Sequence, residues 1–292
     1  MTELKHIIIG CGDVGRRIAT QLVAAGESAQ TILGLVQTQE SVNACHTFGI
    51  NVAQFDLDKD QIEIEQLNQK DCYYLVPPQK SDEYDARSRS LLAQLSEAAI
   101  KPARIVLIST TGVYGDCDGQ WVTEQSIAEP QTERGKRRLD SEQQWQFFAK
   151  QHSIPLIILR VPGIYANSRI PKKRIEQNIP VVRAQECGYT NRIHADDLSA
   201  VAIVAMQSDV DFDIYNVTDG TPGKISEYLQ AAAAILGLPA LPEISMQQAK
   251  EELSTGMLSY LSESRRISNE KMLKELKVKL RYPNFKEGLK FG

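Results

Sequence analysis

The sequence predicts an α/β fold in which a doubly wound parallel sheet carries a small C-terminal lobe. Short apolar runs alternate with amphipathic helical patterns through the first half of the chain. This alternation is typical of parallel strands that are covered by helices on both faces. Right-handed crossovers between such strands then produce a doubly wound sheet. The alternation breaks after Tyr165, and the later segments predict the lobe.

The apolar runs place the predicted strands at 5–9, 31–36, 51–55, 72–76, 104–108 and 156–159. The amphipathic patterns predict helices at 14–25, 88–99 and 133–151. A later strand is predicted at 214–218, and later helices at 224–236 and 269–276. The main domain is therefore expected at 1–165, with 190–220 returning to the sheet. The lobe is expected at 166–189 and 221–292.

The composition excludes several classes of protein. Of the 292 residues, 42% are hydrophobic and 24% charged, which is typical of globular proteins. The net charge of −4 comes from mixed signs, so we expect neither a nucleic-acid-binding surface nor a membrane-binding face. The five cysteines are odd in number and lack metal-ligand spacing. They indicate reduced thiols in the cytoplasm and no metal site.

A glycine-rich turn, G-x-G-x-x-G, follows the first predicted strand and opens the first helix. Gly10 permits a tight turn, Gly12 lets the backbone approach a pyrophosphate, and Gly15 lets the helix pack closely on the strand. The helix N-terminus at Asp13 and Val14 adds unpaired N–H groups and a positive dipole. The motif predicts a dinucleotide site of the Rossmann type. The alternative is a glycine-rich turn without a ligand.

The strand ends bear on the choice of cofactor. At the end of the second strand, a carboxylate would bind the ribose hydroxyls of NAD, and an arginine the 2′-phosphate of NADP. Gln37 stands there; it is neutral, it can hydrogen-bond a ribose, and no cation accompanies it, which favours NAD. Asp56 either lies near the adenine or caps a helix. Pro77 and Pro78 form either a rigid wall beside the cofactor or an ordinary loop.

Five further segments match, in order, the motifs of one enzyme family. They are 103–115 (ARIVLISTTGVYG), 119–124 (GQWVTE), 159–165 (LRVPGIY), 191–198 (NRIHADDL) and 215–220 (YNVTDG). With the glycine loop, they resemble the extended short-chain dehydrogenase/reductase family, in its NAD-dependent epimerase/dehydratase group. The resemblance spans nearly the whole chain. It implies a nicotinamide cofactor and, as substrate, a nucleotide sugar or another anionic small molecule.

The resemblance fails at the catalytic motif. The family uses Tyr-x-x-x-Lys for proton transfer, with a Ser or Thr at the end of the fifth strand. Thr110 takes the place of the Ser or Thr, but Arg134 and Arg138 stand at the tyrosine and lysine positions. Arginine stays protonated and cannot transfer the proton. The chain thus resembles an atypical bacterial subgroup, related to nucleoside-diphosphate-sugar epimerases, that lacks the motif.

Each candidate catalytic residue has a structural alternative. Thr110 either hydrogen-bonds a substrate or the nicotinamide ribose, or satisfies the backbone at a strand end. Tyr114 is the best substitute phenol, and Tyr165 a weaker one; the alternative for both is a packed aromatic ring. Arg134 and Arg138 lie one helical turn apart, where they either bind an anionic group or form part of a solvated basic face.

Two further groups of residues also have alternative roles. His194 is either a metal ligand or part of a strand-to-helix turn in which Asp196 and Asp197 cap the next helix; the second interpretation is favoured. The cations of the lobe either hold a nucleotide diphosphate or form plain surface; they are Lys172, Lys173, Arg174 and Arg183.

These observations leave two functional hypotheses. The first is an NAD(P)-dependent enzyme of the epimerase/dehydratase type in which Thr110 and Tyr114 position or protonate the substrate and Arg134 or Arg138 holds its charge. The second is a non-catalytic dinucleotide-binding redox sensor or regulatory protein, since the tyrosine and lysine are missing. Members of the family often dimerise, and the sequence leaves the oligomeric state open.

Overall fold

The computed structural model describes residues 3–59, 64–81 and 83–291. In chain order the strands are β1 His6–Ile9, β2 Ile32–Val36, β3 Asn51–Gln54, β4 Asp71–Tyr74, β5 Arg104–Thr110, β6 Trp121–Val122, β7 Leu156–Val161, β8 Gly163–Tyr165, β9 Val181–Val182, β10 Arg192–His194, β11 Phe212–Asn216, β12 Glu243–Ile244 and β13 Arg266–Ile267. The helices are α1 Asp13–Ala24, α2 Gln39–His46, α3 Ala86–Glu97, α4 Glu133–His152, α5 Lys172–Glu176, α6 Ala195–Gln207, α7 Ile225–Ile235, α8 Met246–Glu252, α9 Thr255–Leu261, α10 Glu270–Leu276 and α11 Phe285–Phe291.

The central sheet has seven parallel strands in the order β11-β7-β5-β4-β1-β2-β3. From β1 the chain moves outward through β2 and β3, and then crosses back to β4 on the other side of β1. This reversal is the topological switch point, where doubly wound sheets bind their ligands. The predicted fold class is confirmed.

The sheet is buried on both faces, which explains why its strands appear as continuous apolar runs. In β1, Ile8 packs into one apolar cluster, whereas Ile7 and Ile9 pack into the cluster on the opposite face. Successive side chains of a strand point to opposite faces, so each layer of helices needs its own set of apolar residues. One cluster includes residues of α1 and α6, and the other includes residues of α3 and α4.

The C-terminal part adds three small parallel strand pairs, β8 with β10, β9 with β12, and β6 with β13. A separate apolar cluster joins α7 to α11 around Tyr165, Tyr228 and Phe285. Within 190–220, β11 joins the edge of the central sheet, whereas β10 pairs with β8 outside it. No helix in the described ranges is both long enough and apolar enough to cross a membrane.

Candidate functional site

A cleft of about 1390 Å³ opens at the carboxyl ends of the central strands, at the switch point. The glycine loop forms one side of the cleft, with Gly10, Gly12, Asp13 and Val14 among its lining residues. Residues that follow β2, β3, β4 and β5 line its length, and the start of α4 and parts of the lobe close it. The cleft therefore joins the predicted cofactor loop to three of the predicted catalytic positions, Thr110, Arg134 and Arg138.

The glycine loop has the geometry that its sequence predicts. Gly10 has φ +86°, and a Cβ atom there would lie 2.9 Å from the Val76 side chain. A Cβ atom on Gly15 would lie 2.9 Å from the Ile8 side chain, so this glycine allows α1 to pack closely on β1. At Gly12 the nearest atom to such a Cβ is 3.9 Å away. The loop therefore presents open space at the position where a pyrophosphate needs the backbone to be bare.

The N-terminus of α1 is left uncapped beside this space. Its N-cap residue is Gly12, and no side chain caps the helix in the described ranges. By contrast, the Thr132 hydroxyl caps α4 by accepting a hydrogen bond from the Gly135 N–H at 3.2 Å. An uncapped N-terminus has N–H groups and a positive dipole available for an anion. The Asp13 carboxylate, at the first residue of α1, forms ion pairs with Arg17 and Arg169.

Gln37 and Asp56 lie together at the outer end of the cleft. The Gln37 amide donates to the Asp56 carboxylate at 3.2 Å, and the Asp58 N–H donates to the same oxygen atom at 3.0 Å. The hydrogen bond from the Asp58 backbone is the main reason why the pKa of Asp56 is lowered. The chain that follows Asp56 forms a turn, so this carboxylate does not cap a helix in the described ranges.

Two cations at this end were missed: Lys59, whose Nζ lies 3.2 Å from the Asp56 carboxylate, and Arg87. Arg87 of α3 lines the cleft and forms an ion pair with Asp58. Its guanidinium also donates to the Pro77 carbonyl at 2.8 Å. The sequence analysis expected no cation here because none lies close to Gln37 in the chain. The long-range contact of Arg87 corrects that expectation. Arg87 is thus paired with Asp58, and the Asp56 carboxylate bonds Gln37 and Lys59.

Thr110 lies at the end of β5 and lines the cleft. Its hydroxyl oxygen accepts a hydrogen bond from the Gly112 N–H at 3.1 Å and so caps the short turn that follows. The backbone role is therefore present. The hydroxyl is half-buried on the cleft wall, where it can still donate to a ligand.

Tyr114 lies away from the cleft. Its ring is buried and packs under the Arg160 guanidinium, 4.8 Å from the ring centroid. Its hydroxyl donates to the Asn216 side-chain oxygen at 2.8 Å. Burial raises the pKa of this phenol, which opposes a role in proton transfer near neutral pH. We therefore do not assign Tyr114 to the site. The surroundings of Tyr114 match the alternative of a packed aromatic ring.

Arg134 and Arg138 both line the cleft from the first turns of α4, but they differ in their surroundings. Arg138 is deeply placed, and its Nη1 donates to the carbonyls of Val76 and Ile108, each at 3.1 Å. Burial lowers its pKa. Arg134 is exposed and has no hydrogen-bond or ion-pair partner among the described residues. Arg138 thus braces the strand ends, whereas Arg134 keeps its donors for a ligand.

Other predicted candidates lie elsewhere. The lobe cations Lys172, Lys173, Arg174 and Arg183 do not line the described cleft. Tyr165 is buried against the His194 ring.

The favoured interpretation of a strand-to-helix turn at His194 agrees with the structure, but His194 caps α6 in place of the two aspartates. The His194 Nδ1 accepts from the Asp196 N–H at 3.1 Å and so caps α6. Asp197 instead accepts from the N–H groups of Arg281 and Tyr282.

The structure adds lining residues to which the sequence had assigned no role. They are Arg169, Tyr189, Glu263 and Arg265. Arg169 follows the motif at 159–165, and Arg265 lies in the tail segment 264–269, which the sequence did not place in the site. Only their position in the fold brings them to the cleft.

Positive charge predominates along the described lining. Seven cationic side chains face four carboxylates: Lys80, Arg87, Arg134, Arg137, Arg138, Arg169 and Arg265 against Asp13, Asp56, Asp58 and Glu263. The whole chain carries a net charge of −4, so the cleft is locally opposite in sign. Such a cleft favours anionic ligands.

Comparison with solved structures shows the same fold. A conserved protein from Silicibacter pomeroyi, described as functionally unknown, is 27% identical with a TM-score of 0.85, over 98% of this chain and 96% of that one. UDP-glucuronic acid 4-epimerase from Bacillus cereus, in complex with UDP-glucuronic acid and NAD, is 17% identical with a TM-score of 0.76, over 98% and 97%. UDP-glucose 4-epimerase from Thermotoga maritima, with UDP-glucose, is 16% identical with a TM-score of 0.76, over 98% and 96%. The chain matches no family model and no curated protein.

Proposed function

We propose that this protein is an NAD-binding enzyme of the epimerase/dehydratase type, an atypical extended short-chain dehydrogenase/reductase that acts on a nucleotide sugar or a similar anionic molecule. One observation carries the proposal. The open face of Gly12 and the uncapped N-terminus of α1 lie on a large cleft with an excess of cations. Solved structures of the same fold include a UDP-glucuronic acid 4-epimerase in complex with UDP-glucuronic acid and NAD, and a UDP-glucose 4-epimerase with UDP-glucose.

The residues present fit a dinucleotide. The N–H groups of Asp13 and Val14 at the uncapped start of α1 are available for the diphosphate, whereas those of Gly10, Cys11 and Gly12 bond backbone carbonyls. Gly15 holds α1 against the sheet. Gln37 and Asp56 suit the adenosine ribose, and the carboxylate disfavours a 2′-phosphate, which is why we propose NAD rather than NADP. When bound, the nicotinamide would supply hydride transfer.

The substrate end of the cleft would use charge rather than a phenol. Arg134 lines the cleft and has no hydrogen-bond or ion-pair partner among the described residues, and we assign it to an anionic group of the substrate. Arg138 fixes the ends of the strand wall on which Thr110 lies, and the Thr110 hydroxyl would hydrogen-bond the substrate or the ribose. This arrangement replaces the Tyr-x-x-x-Lys pair with residues that bind and orient the substrate.

The same proposal includes the division of the chain. Residues 1–165 and 190–220 would form the cofactor domain, and 166–189 with 221–292 the substrate lobe. The lobe contributes Tyr189 and Arg265 to the described cleft wall. A substrate held between the two parts would then contact both.

Isothermal titration calorimetry with NAD, NADH, NADP and NADPH tests the proposal. We expect measurable binding of NAD(H) and weaker binding of NADP(H), because the Asp56 carboxylate disfavours a 2′-phosphate. Gly12→Ala is the variant that tests the loop. Its methyl group has room in the folded protein but occupies the space for the diphosphate. It should keep its melting temperature and lose binding.

A panel of nucleotide sugars, followed by product analysis, then tests the reaction. Failure of all four dinucleotides to bind would overturn the proposal. Binding without any turnover across the panel would overturn its enzymatic part.

A further inference from the structure

We infer that Arg169 is a ligand for the diphosphate of the dinucleotide and that Asp13 holds it beside the glycine loop until the dinucleotide arrives. The inference rests on the proposed function and adds a side chain from the lobe to the cofactor site. It starts from one contact: the Arg169 guanidinium lies 3.0 Å from the Asp13 carboxylate, across a separation of 156 residues.

Arg169 reaches the loop from outside the cofactor domain. It ends a short 3₁₀ turn, Asn167–Arg169, after β8, and it lines the same cleft as Asp13. Its side chain is 36% exposed, and one of its nitrogen atoms bonds Asp13. A guanidinium has five N–H donors in a planar fork, so most remain for phosphate oxygens.

Asp13 can release Arg169 without being left unpaired. Its other carboxylate oxygen accepts from the Arg17 Nε at 3.3 Å. Arg17 is itself fixed, because it also bonds Asp196 and donates to the Ser168 hydroxyl at 3.1 Å. When Arg169 turns to a phosphate, Asp13 therefore keeps one cation. The exchange avoids the cost of an isolated charge.

The negative charges at the N-terminus of α1 favour a cation such as Arg169 beside the diphosphate. The diphosphate would bring two negative charges to the N-terminus of α1, where the Asp13 carboxylate already lies. Like charges at close range oppose binding. Arg169 is the described cleft-lining cation that contacts this end of α1, and it can offset the repulsion.

A purely structural ion pair makes a different prediction from a phosphate ligand. If the pair only ties the lobe to α1, removing either partner breaks the same link, and both changes act in the same direction. If Arg169 binds phosphate, removing Arg169 weakens binding, whereas neutralising Asp13 frees Arg169 and removes a repulsion. The two changes then act in opposite directions.

The test is calorimetric titration of the full chain with ADP-ribose, which keeps the adenosine and the diphosphate but lacks nicotinamide. We expect Arg169→Ala to weaken binding at least tenfold, Arg169→Lys to weaken it less, and Asp13→Asn to strengthen it several-fold. Arg183→Ala is the matched control, because this lobe arginine pairs with Glu186 outside the cleft and should leave affinity unchanged.

Melting temperatures show whether each variant folds, and Arg169→Lys preserves the test if the alanine variant does not. Unchanged affinity in the Arg169 variants, or weaker binding in both Arg169→Ala and Asp13→Asn, overturns the inference alone. A wild-type protein that binds NAD but not ADP-ribose also overturns it. A wild-type protein that binds neither overturns the proposed function first.

Discussion

Arg160 and Glu142 form a buried ion pair directly behind the cleft wall. The Arg160 Nη2 lies 2.7 Å from one Glu142 oxygen, and its Nε lies 3.1 Å from the other. The Ser109 hydroxyl donates to the same carboxylate, and Tyr114 packs against the guanidinium. The pair thus joins α4 to β5 and β7, behind Thr110 and Arg138.

Removing one partner of this pair should be costly. We expect Glu142→Leu to lower the free energy of unfolding by about 3–5 kcal/mol, because it leaves the Arg160 guanidinium buried without a counter-ion. Urea denaturation measures the change. The double variant Glu142→Leu/Arg160→Met is the control and should recover part of the loss. A free energy of unfolding for Glu142→Leu within about 1 kcal/mol of the wild-type value would contradict the prediction.

Tyr114→Phe should affect stability and not cofactor binding. Loss of the hydrogen bond to Asn216 should cost about 1 kcal/mol in the free energy of unfolding. NAD affinity should stay unchanged, because Tyr114 does not line the described cleft. Tyr215→Phe is a matched control, since this buried tyrosine bonds Glu275. A tenfold loss of NAD affinity in Tyr114→Phe alone would return Tyr114 to the site.

Gln37→Arg combined with Asp56→Asn should shift the cofactor preference toward NADP. The arginine supplies a partner for the 2′-phosphate, and the second change removes the carboxylate that repels it. We expect about a tenfold gain in NADP affinity, measured by calorimetry. Gln39→Arg adds the same charge outside the described cleft and is the control. An equal gain in that control would show a general charge effect instead.

The contribution of Asp219 to the free energy of unfolding should fall as the pH rises toward 7. Burial raises the pKa of this carboxyl to about 7, and one of its oxygen atoms has no partner among the described residues. The folded protein therefore holds a proton that the unfolded chain releases between pH ~4 and pH ~7. Stability from this group is full at low pH, declines across that window, and is level above it.

Denaturation of wild type and Asp219→Asn from pH 5.5 to 8 isolates this effect. The difference between their free energies of unfolding should change by up to about 1.4 kcal/mol per pH unit below pH 7. His194 acts in the opposite direction, because burial lowers its pKa and destabilises the folded state at acid pH. Both proteins share that contribution, so it cancels in the difference. Parallel curves would rule out the Asp219 effect.

The sequence alone determined the sheet and the glycine loop. Strands buried on both faces leave continuous apolar runs, and β1 to β5 and β7 were predicted to within a few residues. The geometry of the glycine loop depends on three residues within a six-residue segment, Gly10, Gly12 and Gly15. Strand pairing and helix packing have strong local signals because they depend on periodic burial.

Only the tertiary structure decided which side chains face the cleft. Tyr114 and Thr110 are four residues apart, yet the turn between them directs one into the core and leaves the other on the wall. Arg87 reaches Asp58 from a different helix, and Arg169 reaches Asp13 across most of the chain. Such contacts depend on how distant elements pack, and no local pattern of residues encodes them. The sequence therefore determined the glycine-rich turn between β1 and α1, and the packing of the lobe against α1 decided which charges surround it.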